Sequence, residues 1–452
     1  MTGEAKARFD IAVIGSGISG LSAAWLLSRA HSVTLYESES RIGGHSHTVD
    51  AIVDGRPVPV DTGFIVYNEP CYPNLTALLD HLNVATVASN MSFAVSMRDG
   101  ATEYSGESFA GLLARPGNVL SRRFWSMLRD ILRFYREAPR LLERPSDGAQ
   151  TLGDYLAKGR YGQAFREDHL LPMAGAIWSA SPGTMLAYPA RAFVQFFVNH
   201  GLLKLRGRPI WRTVSGGSRA YVERLMQAFN GNVLRNKPVV EVRRSRDGVW
   251  VRTGDGDERR FDHVVIAAHA DQALAMLADA DADELRLLGG FEYTANEAWL
   301  HQDRSLMPRR RAAWASWNYL GQGDHRSERA VALSYWMNRL QPLGVEQPIF
   351  VTLNPAREPD PDTVHWRGTY YHPVFNAAAL GAQRELWSLQ GRRRTWFCGA
   401  YFGAGFHEDG LQAGLAVAEQ LGGVKRPWDV AGQSDRIIVR EPSQRYSDLV
   451  AI

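Results

Sequence analysis

The chain has 452 residues, 45% of them hydrophobic, which is ample for a large core and favours two interleaved domains over one. A formal net charge of +3 is too small to indicate nucleic-acid binding, and the two cysteines, Cys71 and Cys398, provide no disulfide framework. No apolar run approaches the roughly 20 residues that span a bilayer, and residues 1–10 lack the apolar core of a signal peptide, so we expect a cytoplasmic protein.

The first motif in the chain is typical of a dinucleotide-binding turn. Residues 11–14 form an apolar run that suits a buried parallel strand, and Gly15, Gly17 and Gly20 follow with the G-x-G-x-x-G spacing. In order, these glycines permit a tight turn, approach of the backbone to a pyrophosphate, and close packing of a helix on the strand. A helix beginning near Ile18 would point its free N–H groups at the phosphates.

A second strand and an acidic residue complete this motif. Residues 33–36 form the strand, and Glu37 ends it, where a carboxylate can accept hydrogen bonds from ribose hydroxyls. Because strand, glycines, helix, strand and acid occur in this order, the pattern favours a dinucleotide site over an ordinary strand-to-helix turn.

The next segment distinguishes a flavin from a nicotinamide cofactor. Arg41, Gly43, Gly44 and His45 follow closely, and residues 61–64 read Asp-Thr-Gly-Phe after an apolar stretch. With these motifs the chain resembles the FAD-dependent amine oxidase and phytoene desaturase superfamily. The resemblance implies that Glu37 binds the adenosine ribose and that Arg41, Gly43 and Gly44 pass the pyrophosphate. The residues assigned to FAD in this part are Gly15, Ser16, Gly17, Ile18, Ser19, Gly20, Glu37, Ser38, Arg41, Gly43, Gly44, His45, Thr62, Gly63 and Phe64.

Two later segments are similar to the remaining FAD-binding parts of that superfamily. In the first, Val239 takes the position that touches adenine, although it fits a core strand residue equally well, and Ala267 ends a following strand. In the second, a strand ends at a glycine beside the ribityl chain, and a helix N-terminus then faces the flavin pyrimidine, where its dipole stabilises negative charge. The matching residues are Gly399, Ala400, Gly410, Leu411 and Gln412.

These assignments predict an α/β fold with two interleaved domains. Residues 8–68, 209–275 and 390–424 would form a Rossmann-like FAD-binding domain with a doubly wound parallel sheet. Residues 70–205 and 285–389 would form an α+β substrate domain, and 425–452 a surface tail. The substrate domain is rich in aromatic residues, which suit a bulky apolar substrate or form the domain's own core.

Residues 115–144 carry eight arginines against three acidic residues. Apolar side chains recur there at helical spacing at Phe124, Leu128, Ile131, Leu132 and Tyr135, with Trp125 beside them. A helix with an apolar face and a basic face can lie in a lipid headgroup layer. We therefore predict peripheral contact with the inner face of the cytoplasmic membrane, and the alternative is an ordinary amphipathic helix packed on the substrate domain.

Four stretches narrow the resemblance within the superfamily, namely 43–49, 61–68, 314–319 and 397–410. They resemble bacterial flavoproteins related to the N-terminal region of plant cyclopropane fatty acid synthases, including methyl fatty acid desaturases of furan fatty acid synthesis. The likeness covers residues 8–424. It implies dehydrogenation of a methylated or unsaturated acyl chain on a phospholipid, with one hydrogen leaving as a proton and the other as a hydride to the flavin.

Such a reaction needs a base near the flavin. His407 and Glu408 precede the flavin-facing helix, and a histidine titrates near neutral pH, so these residues and Tyr401 are the predicted catalytic groups. His407 can instead orient the loop before the helix. His45 and His47 can approach the flavin or stabilise the turn. The sequence has no H-E-x-x-H or C-x-x-C spacing, so we predict no metal site.

We expect FAD to be bound non-covalently, because Cys398 lies in a buried strand where an inert thiol is usual. Two other functions stay open. One is an amine or porphyrinogen-type oxidase. The other is a flavin-binding partner that scaffolds a lipid methyltransferase without turnover.

Overall fold

The computed structural model describes residues 8–143, 150–178, 180–321 and 332–440. Arg144 of the basic segment and residues 441–452 of the predicted tail lie outside these ranges. The strands in the described ranges are β1 (Asp10–Ile14), β2 (Ser32–Tyr36), β3 (Thr48–Val53), β4 (Arg56–Asp61), β5 (Tyr67–Asn68), β6 (Thr86–Ser89), β7 (Phe93–Met97), β8 (Thr102–Ser105), β9 (Trp211–Val214), β10 (Asn232–Leu234), β11 (Val239–Ser245), β12 (Gly248–Thr253), β13 (Glu258–Phe261), β14 (His263–Ile266), β15 (Glu292–His301), β16 (Trp317–Gly321), β17 (Leu333–Trp336), β18 (Phe350–Leu353), β19 (Val364–Val374) and β20 (Thr395–Phe397).

The α-helices in the same ranges are α1 (Ile18–Leu27), α2 (Pro73–His81), α3 (Phe109–Leu112), α4 (Arg122–Glu137), α5 (Leu152–Lys158), α6 (Gln163–Phe165), α7 (Leu171–Trp178), α8 (Pro182–Ala187), α9 (Ala190–Asn199), α10 (Arg219–Ala228), α11 (Ala270–Met276), α12 (Ala282–Leu288), α13 (Met337–Leu340), α14 (Ala377–Gln383) and α15 (His407–Gly422).

The first sheet has five parallel strands in the order β10-β2-β1-β14-β20, which confirms the predicted α/β fold class. The chain runs from β1 outward to β2 and β10, and then returns to β14 on the other side of β1. The strand order therefore reverses between β1 and β14, where the carboxyl ends of parallel strands open a crevice for ligands. Between β10 and β14, the strands β11, β12 and β13 form a separate antiparallel sheet.

Helices α1 and α15 cross so closely that only small residues fit between them. Every residue of α1 is buried, which explains why this helix is apolar on all sides. A Cβ on Gly414 of α15 would lie 2.2 Å from the carbonyl oxygen of Ser19, and one on Gly20 would lie 1.9 Å from that of Gly15. The glycines thus fix the distance between the two helices and the first turn.

The second large sheet has seven mixed strands in the order β19-β15-β18-β17-β16-β7-β8, and only the β16–β7 pair is parallel. Helices α3 to α9 come from the same part of the chain, between β8 and β9. This combination of a mixed sheet with separate helices is an α+β arrangement.

The prediction that the apolar face of the basic helix meets lipid is wrong for its buried residues, whereas Trp125 and Leu132 are exposed. Phe124, Met127, Ile131 and Phe134 of α4 are buried in the protein core. Burial of these large side chains stabilises the fold, since each is worth roughly 1.5 to 3 kcal/mol. The ordinary amphipathic helix, the alternative interpretation, describes this face of α4 correctly.

Residues 425–440 are not a loose surface tail. Arg426 is buried and binds Glu419 of α15 and Asn74 of α2. Trp428 stacks on Trp25 of α1 with ring centroids 6.0 Å apart. The segment therefore packs across three helices, because its arginine and tryptophan supply the hydrogen bonds and the apolar surface that a solvated tail lacks. None of the described helices is long and apolar enough to cross a membrane.

Candidate active site

The glycine-rich turn leaves an open, uncapped helix N-terminus at the carboxyl end of β1. Gly15 has a φ of +99°, which a residue with a Cβ rarely adopts. Gly17 is the N-cap of α1 and provides no side-chain cap, and nothing lies within 4 Å of the position that its Cβ would take. The first N–H groups of a helix have no carbonyl partner within it. This turn and the helix N-terminus, together called the glycine cradle, can therefore bind a pyrophosphate.

The R-x-G-G segment lies directly against this cradle. A Cβ on Gly44 would lie 2.9 Å from the Cα of Gly17. The Gly43 N–H donates to the carbonyl oxygen of Ser16 over 3.1 Å, and the guanidinium of Arg41 donates to the carbonyl oxygen of Gly44 over 2.6 Å. The two predicted pyrophosphate segments are thus joined by a backbone hydrogen bond, and Arg41 stabilises the R-x-G-G turn itself.

Glu37 ends β2 beside the same turn. Its Oε2 accepts hydrogen bonds from the N–H and hydroxyl of Ser16, and its Oε1 accepts from the Ser38 hydroxyl and the Glu39 N–H. Two of these four donors are hydroxyls that can rotate away. Ribose hydroxyls can therefore take their places on the carboxylate.

Val239 and Ala267, two further residues predicted to bind FAD, lie near the glycine-rich turn. The Lys237 N–H donates to the carbonyl oxygen of Glu37, so Val239 begins β11 close to the ribose end of the cradle. The Ala267 N–H donates to the carbonyl oxygen of Ile14, and a Cβ on Gly15 would lie 2.7 Å from the Ala267 oxygen. Contact of either residue with FAD stays a prediction.

The helix predicted to face the flavin begins earlier than expected. It begins at His407, because the Asp409 carboxylate accepts the Phe406 N–H over 2.7 Å and caps the first turn. The Gly410 N–H already bonds the Phe406 carbonyl oxygen. The free N–H groups of α15 are thus those of residues 407–409, and contact of Gly410, Leu411 and Gln412 with FAD stays a prediction.

Gly410 allows α15 to pack closely against the start of α1, and Gly399 and Ala400 lie beside this contact. A Cβ on Gly410 would lie 2.8 Å from the Ser19 hydroxyl and 3.6 Å from the Ala400 nitrogen. Gly399 ends β20 and precedes the short 3₁₀ helix 400–402. The third predicted FAD segment therefore meets the start of α1.

Glu408 has a structural role that its position in the sequence did not reveal. Its carboxylate is fully buried and accepts hydrogen bonds from the N–H groups of Asn74 and Leu75 at the start of α2, from the Asn74 amide, and from Gln412. Burial raises the pKa of Glu408, and these donors lower it. A carboxylate with four protein donors has no free position for a substrate proton, so Glu408 does not act as the base. The Gln412 side chain is one of these donors.

Tyr401 also lies away from the other predicted catalytic groups. Its ring packs on Phe291 and Phe402 and under Gly399, and it is 2% exposed. Burial raises the pKa of its hydroxyl well above the usual range. A side chain in this position is part of the core and does not reach a substrate, so this prediction is corrected as well.

His407 is the predicted catalytic residue with the most suitable surroundings. Its ring stacks on Phe64, with centroids 3.9 Å apart and an interplanar angle of 10°. Its Nε2 lies 2.8 Å from the hydroxyl of Tyr221, which also contacts the hydroxyl of Ser46. Within the described part of the chain, Nδ1 has no hydrogen-bond partner. One nitrogen is thus held by the protein while the other is free.

Burial lowers the pKa of His407 to about 3, which corrects the expectation that it titrates near neutral pH. The ring is therefore neutral at physiological pH and can accept a proton. The same cause lowers the pKa of four other histidines near the crevice. These are His45, His47, His269 and His372.

Three of these histidines form a cluster that the sequence analysis missed in part. The ring of His45 lies 5.6 Å from His372, 6.4 Å from His269 and 5.0 Å from Tyr370, and its buried Nε2 has no partner among the described residues. His269 follows β14 by three residues, and His372 lies two residues after Tyr370 on β19. A search for polar residues just beyond the strand ends would have found His269. His372 comes from a distant strand, and no local signal places it here.

Thr62 and His47 meet at this cluster through the Tyr370 hydroxyl, which lies 2.7 Å from Thr62 Oγ1 and 3.1 Å from His47 Nδ1. Lys204 is exposed in the loop after α9 and lies outside the site. Cys398 is fully buried, and burial raises the pKa of its thiol. In the described ranges, no group of three or more His, Cys, Asp or Glu side chains could hold a metal ion.

The open cradle at Gly17, the carboxylate of Glu37 and the unpartnered His45 nitrogen fit an adenine dinucleotide with a second ring system beyond the pyrophosphate. The sequence profile of the flavin-containing amine oxidoreductase family matches residues 18–336. The chain belongs to this family. The protein is accordingly an FAD-dependent oxidoreductase, and the predicted superfamily and cofactor are confirmed.

Proteins of known structure that share this fold have names that indicate different substrates. Putrescine oxidase bound to putrescine is 16% identical, with 92% of this chain and 99% of that chain covered and a TM-score of 0.64. A CLA-producing fatty acid isomerase from P. acnes is 17% identical, with 91% and 98% covered and a TM-score of 0.61. Cyclohexylamine oxidase from Brevibacterium oxydans IH-35A is 17% identical, with 92% and 100% covered and a TM-score of 0.60. These likenesses establish the fold alone, and a comparison with curated proteins found no match.

Replacing Glu37 with Ala should weaken FAD binding by about 1.5 to 3 kcal/mol, because the ribose hydroxyls lose a charged acceptor. Titration of the apoprotein with FAD, followed by flavin fluorescence, measures this change. Glu39→Ala is the matched control, since Glu39 is an exposed neighbour that pairs with Arg41. Equal FAD affinity in both variants would remove Glu37 from the ribose site.

Proposed function

We propose that this flavin-dependent oxidoreductase dehydrogenates a methyl-branched or unsaturated fatty acyl chain carried on a phospholipid. The observation that supports it most is an aromatic wall beside His407, defined as Phe64, Trp178, Phe196 and Phe406. Successive contacts join it: Phe406 lies next to His407 in the chain and 5.0 Å from Phe196, and Phe196 lies 4.6 Å from Trp178.

The aromatic wall has the properties of a surface that lines a space. Its four members are partly exposed, whereas Phe193 and Phe197, their neighbours on α9, are buried. His200 extends the wall by stacking on Phe196 with centroids 3.8 Å apart. An acyl chain gains free energy by leaving water for such a surface, at roughly 0.8 kcal/mol for each CH₂ group.

The acidic residues nearest to the wall do not favour an amine substrate. A cationic amine is best bound by aromatic faces together with a carboxylate. Glu408 caps α2, and the carboxylate of Asp409 is buried and paired with Arg436 at 2.6 Å. Both carboxylates at the start of α15 are thus occupied by protein partners.

In the proposed reaction, two neighbouring C–H bonds break and a C=C bond forms, and FAD supplies the acceptor for the hydride. His407 takes the proton at Nδ1. For Nδ1 to be unprotonated, Nε2 must carry the hydrogen and donate it to the Tyr221 oxygen, whose own O–H then donates to Ser46. Tyr221 and Ser46 are positioning residues that fix this tautomer.

Anaerobic mixing of the holoenzyme with methyl-branched or unsaturated phospholipids tests the proposal, with the loss of oxidised flavin absorbance as the readout. A phospholipid with straight saturated chains is the control and should leave the flavin oxidised. Reduction by amines or porphyrinogens but by none of the lipids would transfer the function to the oxidase alternative. A flavin that no substrate reduces would favour the non-catalytic partner of a lipid methyltransferase.

A further inference from the structure

We propose that the protein docks on anionic bilayers through an exposed surface on α4 and the loop after α9. The docking surface consists of an outer stripe on α4, the residues just before this helix, and the loop 201–210. The stripe follows the i, i+3, i+4 spacing of one helix face and alternates basic with apolar side chains: Arg122, Trp125, Arg129, Leu132 and Arg136.

Large apolar side chains are unusually exposed on this surface. Leu120 is 88% exposed, Trp125 51% and Leu132 54%. The Trp125 indole donates to the Val119 carbonyl oxygen over 2.8 Å, which holds the ring beside Val119 and Leu120. Exposed apolar side chains that lie together mark an interaction site, whereas scattered ones do not.

The charge of the docking surface specifies the partner. Residues 115–136 contain six arginines and one acidic residue, Asp130. The Asp130 side chain is 2% exposed and accepts the Gly162 N–H over 2.8 Å, so it faces the protein interior. The outward face of this segment is therefore basic without an exposed carboxylate.

The loop 201–210 adds a second segment of the same character. It carries Lys204, Arg206 and Arg208 and no acidic residue, and Leu205 and Ile210 are 67% and 69% exposed. Burial raises the pKa of the Tyr135 hydroxyl, and the nearby charge of Arg208 lowers it, so the loop lies beside α4. Two segments that are distant in the chain thus present the same combination of side chains next to each other.

A surface cavity at the N-terminal end of α4 provides space for a polar headgroup. It has a volume of about 440 Å³, and its lining includes Arg98, Arg115 and Arg123 together with one acidic residue, Glu167, which pairs with Arg123. Arg98 and Arg123 are held by Asp168, so their guanidinium groups have fixed positions. A phosphodiester is the anion that such a set of arginines binds best.

An anionic bilayer meets all of these features together. Arginines contact headgroup phosphates, and tryptophan and leucine side chains enter the boundary between headgroups and acyl chains. A nucleic acid would leave Leu120, Leu205 and Ile210 in water. The proposal does not depend on the proposed substrate, because its test measures binding without turnover.

The test is sedimentation of the FAD-loaded protein with vesicles of phosphatidylcholine, with and without phosphatidylglycerol. The protein should bind only the anionic vesicles, and salt should weaken this binding. Arg122→Gln with Arg129→Gln should lower the partition constant about 30-fold, since each arginine near the surface contributes roughly 1 kcal/mol. Arg224→Gln with Arg246→Gln, exposed elsewhere, should leave it unchanged.

The contribution of the exposed apolar side chains of the docking surface is tested with separate variants. Leu120→Ser with Trp125→Ser, and Leu205→Ser with Ile210→Ser, should each weaken binding to anionic vesicles, while Ile52→Ser with Leu285→Ser should not. Equal sedimentation of the parent and both docking-surface pairs would overturn the proposal, as would equal binding to neutral vesicles. A dimer in light scattering that the Leu120 and Trp125 changes dissociate would assign the surface to a second copy instead.

Discussion

Replacing His407 with Ala should slow anaerobic reduction of the bound flavin by about 10² to 10⁴-fold, the contribution typical of a positioned base. The variant should keep its FAD, because the glycine cradle and Glu37 are formed by other parts of the chain. Stopped-flow absorbance with a lipid that reduces the parent enzyme measures the effect. Tyr221→Phe, which removes only the partner of Nε2, should slow reduction about tenfold.

The pH profile separates a base from a residue that only maintains the shape of the site. Burial holds the pKa of His407 at about 3, so the ring is mostly protonated only below that pH. Protonation of His407 should therefore not lower the rate of flavin reduction between pH 8 and pH 5. His365→Ala, on β19, is the control and should reduce its flavin at the parent rate. Full-rate reduction in His407→Ala would place the base elsewhere, with His45 the next residue to test.

Replacing Gly414 with Val should destabilise the protein by at least about 3 kcal/mol and impair FAD retention. The new side chain would begin 2.2 Å from the Ser19 carbonyl oxygen, a backbone atom that cannot rotate away. Helix α1 would have to move, and its N-terminus is the predicted pyrophosphate site. Thermal unfolding and the flavin content of the purified protein measure the two effects.

Gly381→Ala is the matched control for this substitution. Gly381 lies in α14, and nothing lies within 4 Å of the position of its Cβ. Alanine there should stabilise the protein by about 0.5 to 1 kcal/mol, because a helix favours alanine over glycine. A Gly414→Val variant that is as stable as this control would mean that α1 and α15 can separate without cost.

The first part of the fold was predictable because local rules determine it. Strand, turn and helix at residues 10–27 follow from an apolar run and three spaced glycines. The strand predicted to end at Ala267 ends at Ile266, and the chain turns at Asp262 so that β13 and β14 lie in two different sheets. Sequence alone does not show this change of sheet, because Phe261 is apolar like the residues of β14 and only Asp262 lies between the two strands.

The candidate site was predicted less completely, because its side chains are arranged by distant contacts. The sequence singled out His407, but Glu408 and Tyr401 were indistinguishable from it until their partners were known. Glu408 meets Asn74, which lies 334 positions earlier, and the pairing of Asp409 with Arg436 spans 27 positions. The sequence analysis grouped the exposed Leu132 with the buried Phe124 and Ile131 for a related reason, since sequence periodicity does not say which face the core covers.

The packing of residues 425–440 on α15 and α2 has a consequence for biogenesis. The cofactor crevice is built from β1 and α1 on one side and from β20 and α15 on the other, and the last of these is held by Arg426 and Arg436. A nascent chain that stops short of residue 436 contains the glycine cradle but lacks the clamp on the opposite helix. We therefore expect flavin capture to be a late event in synthesis, and we expect the apolar surface of α1 to stay uncovered until α15 has been made.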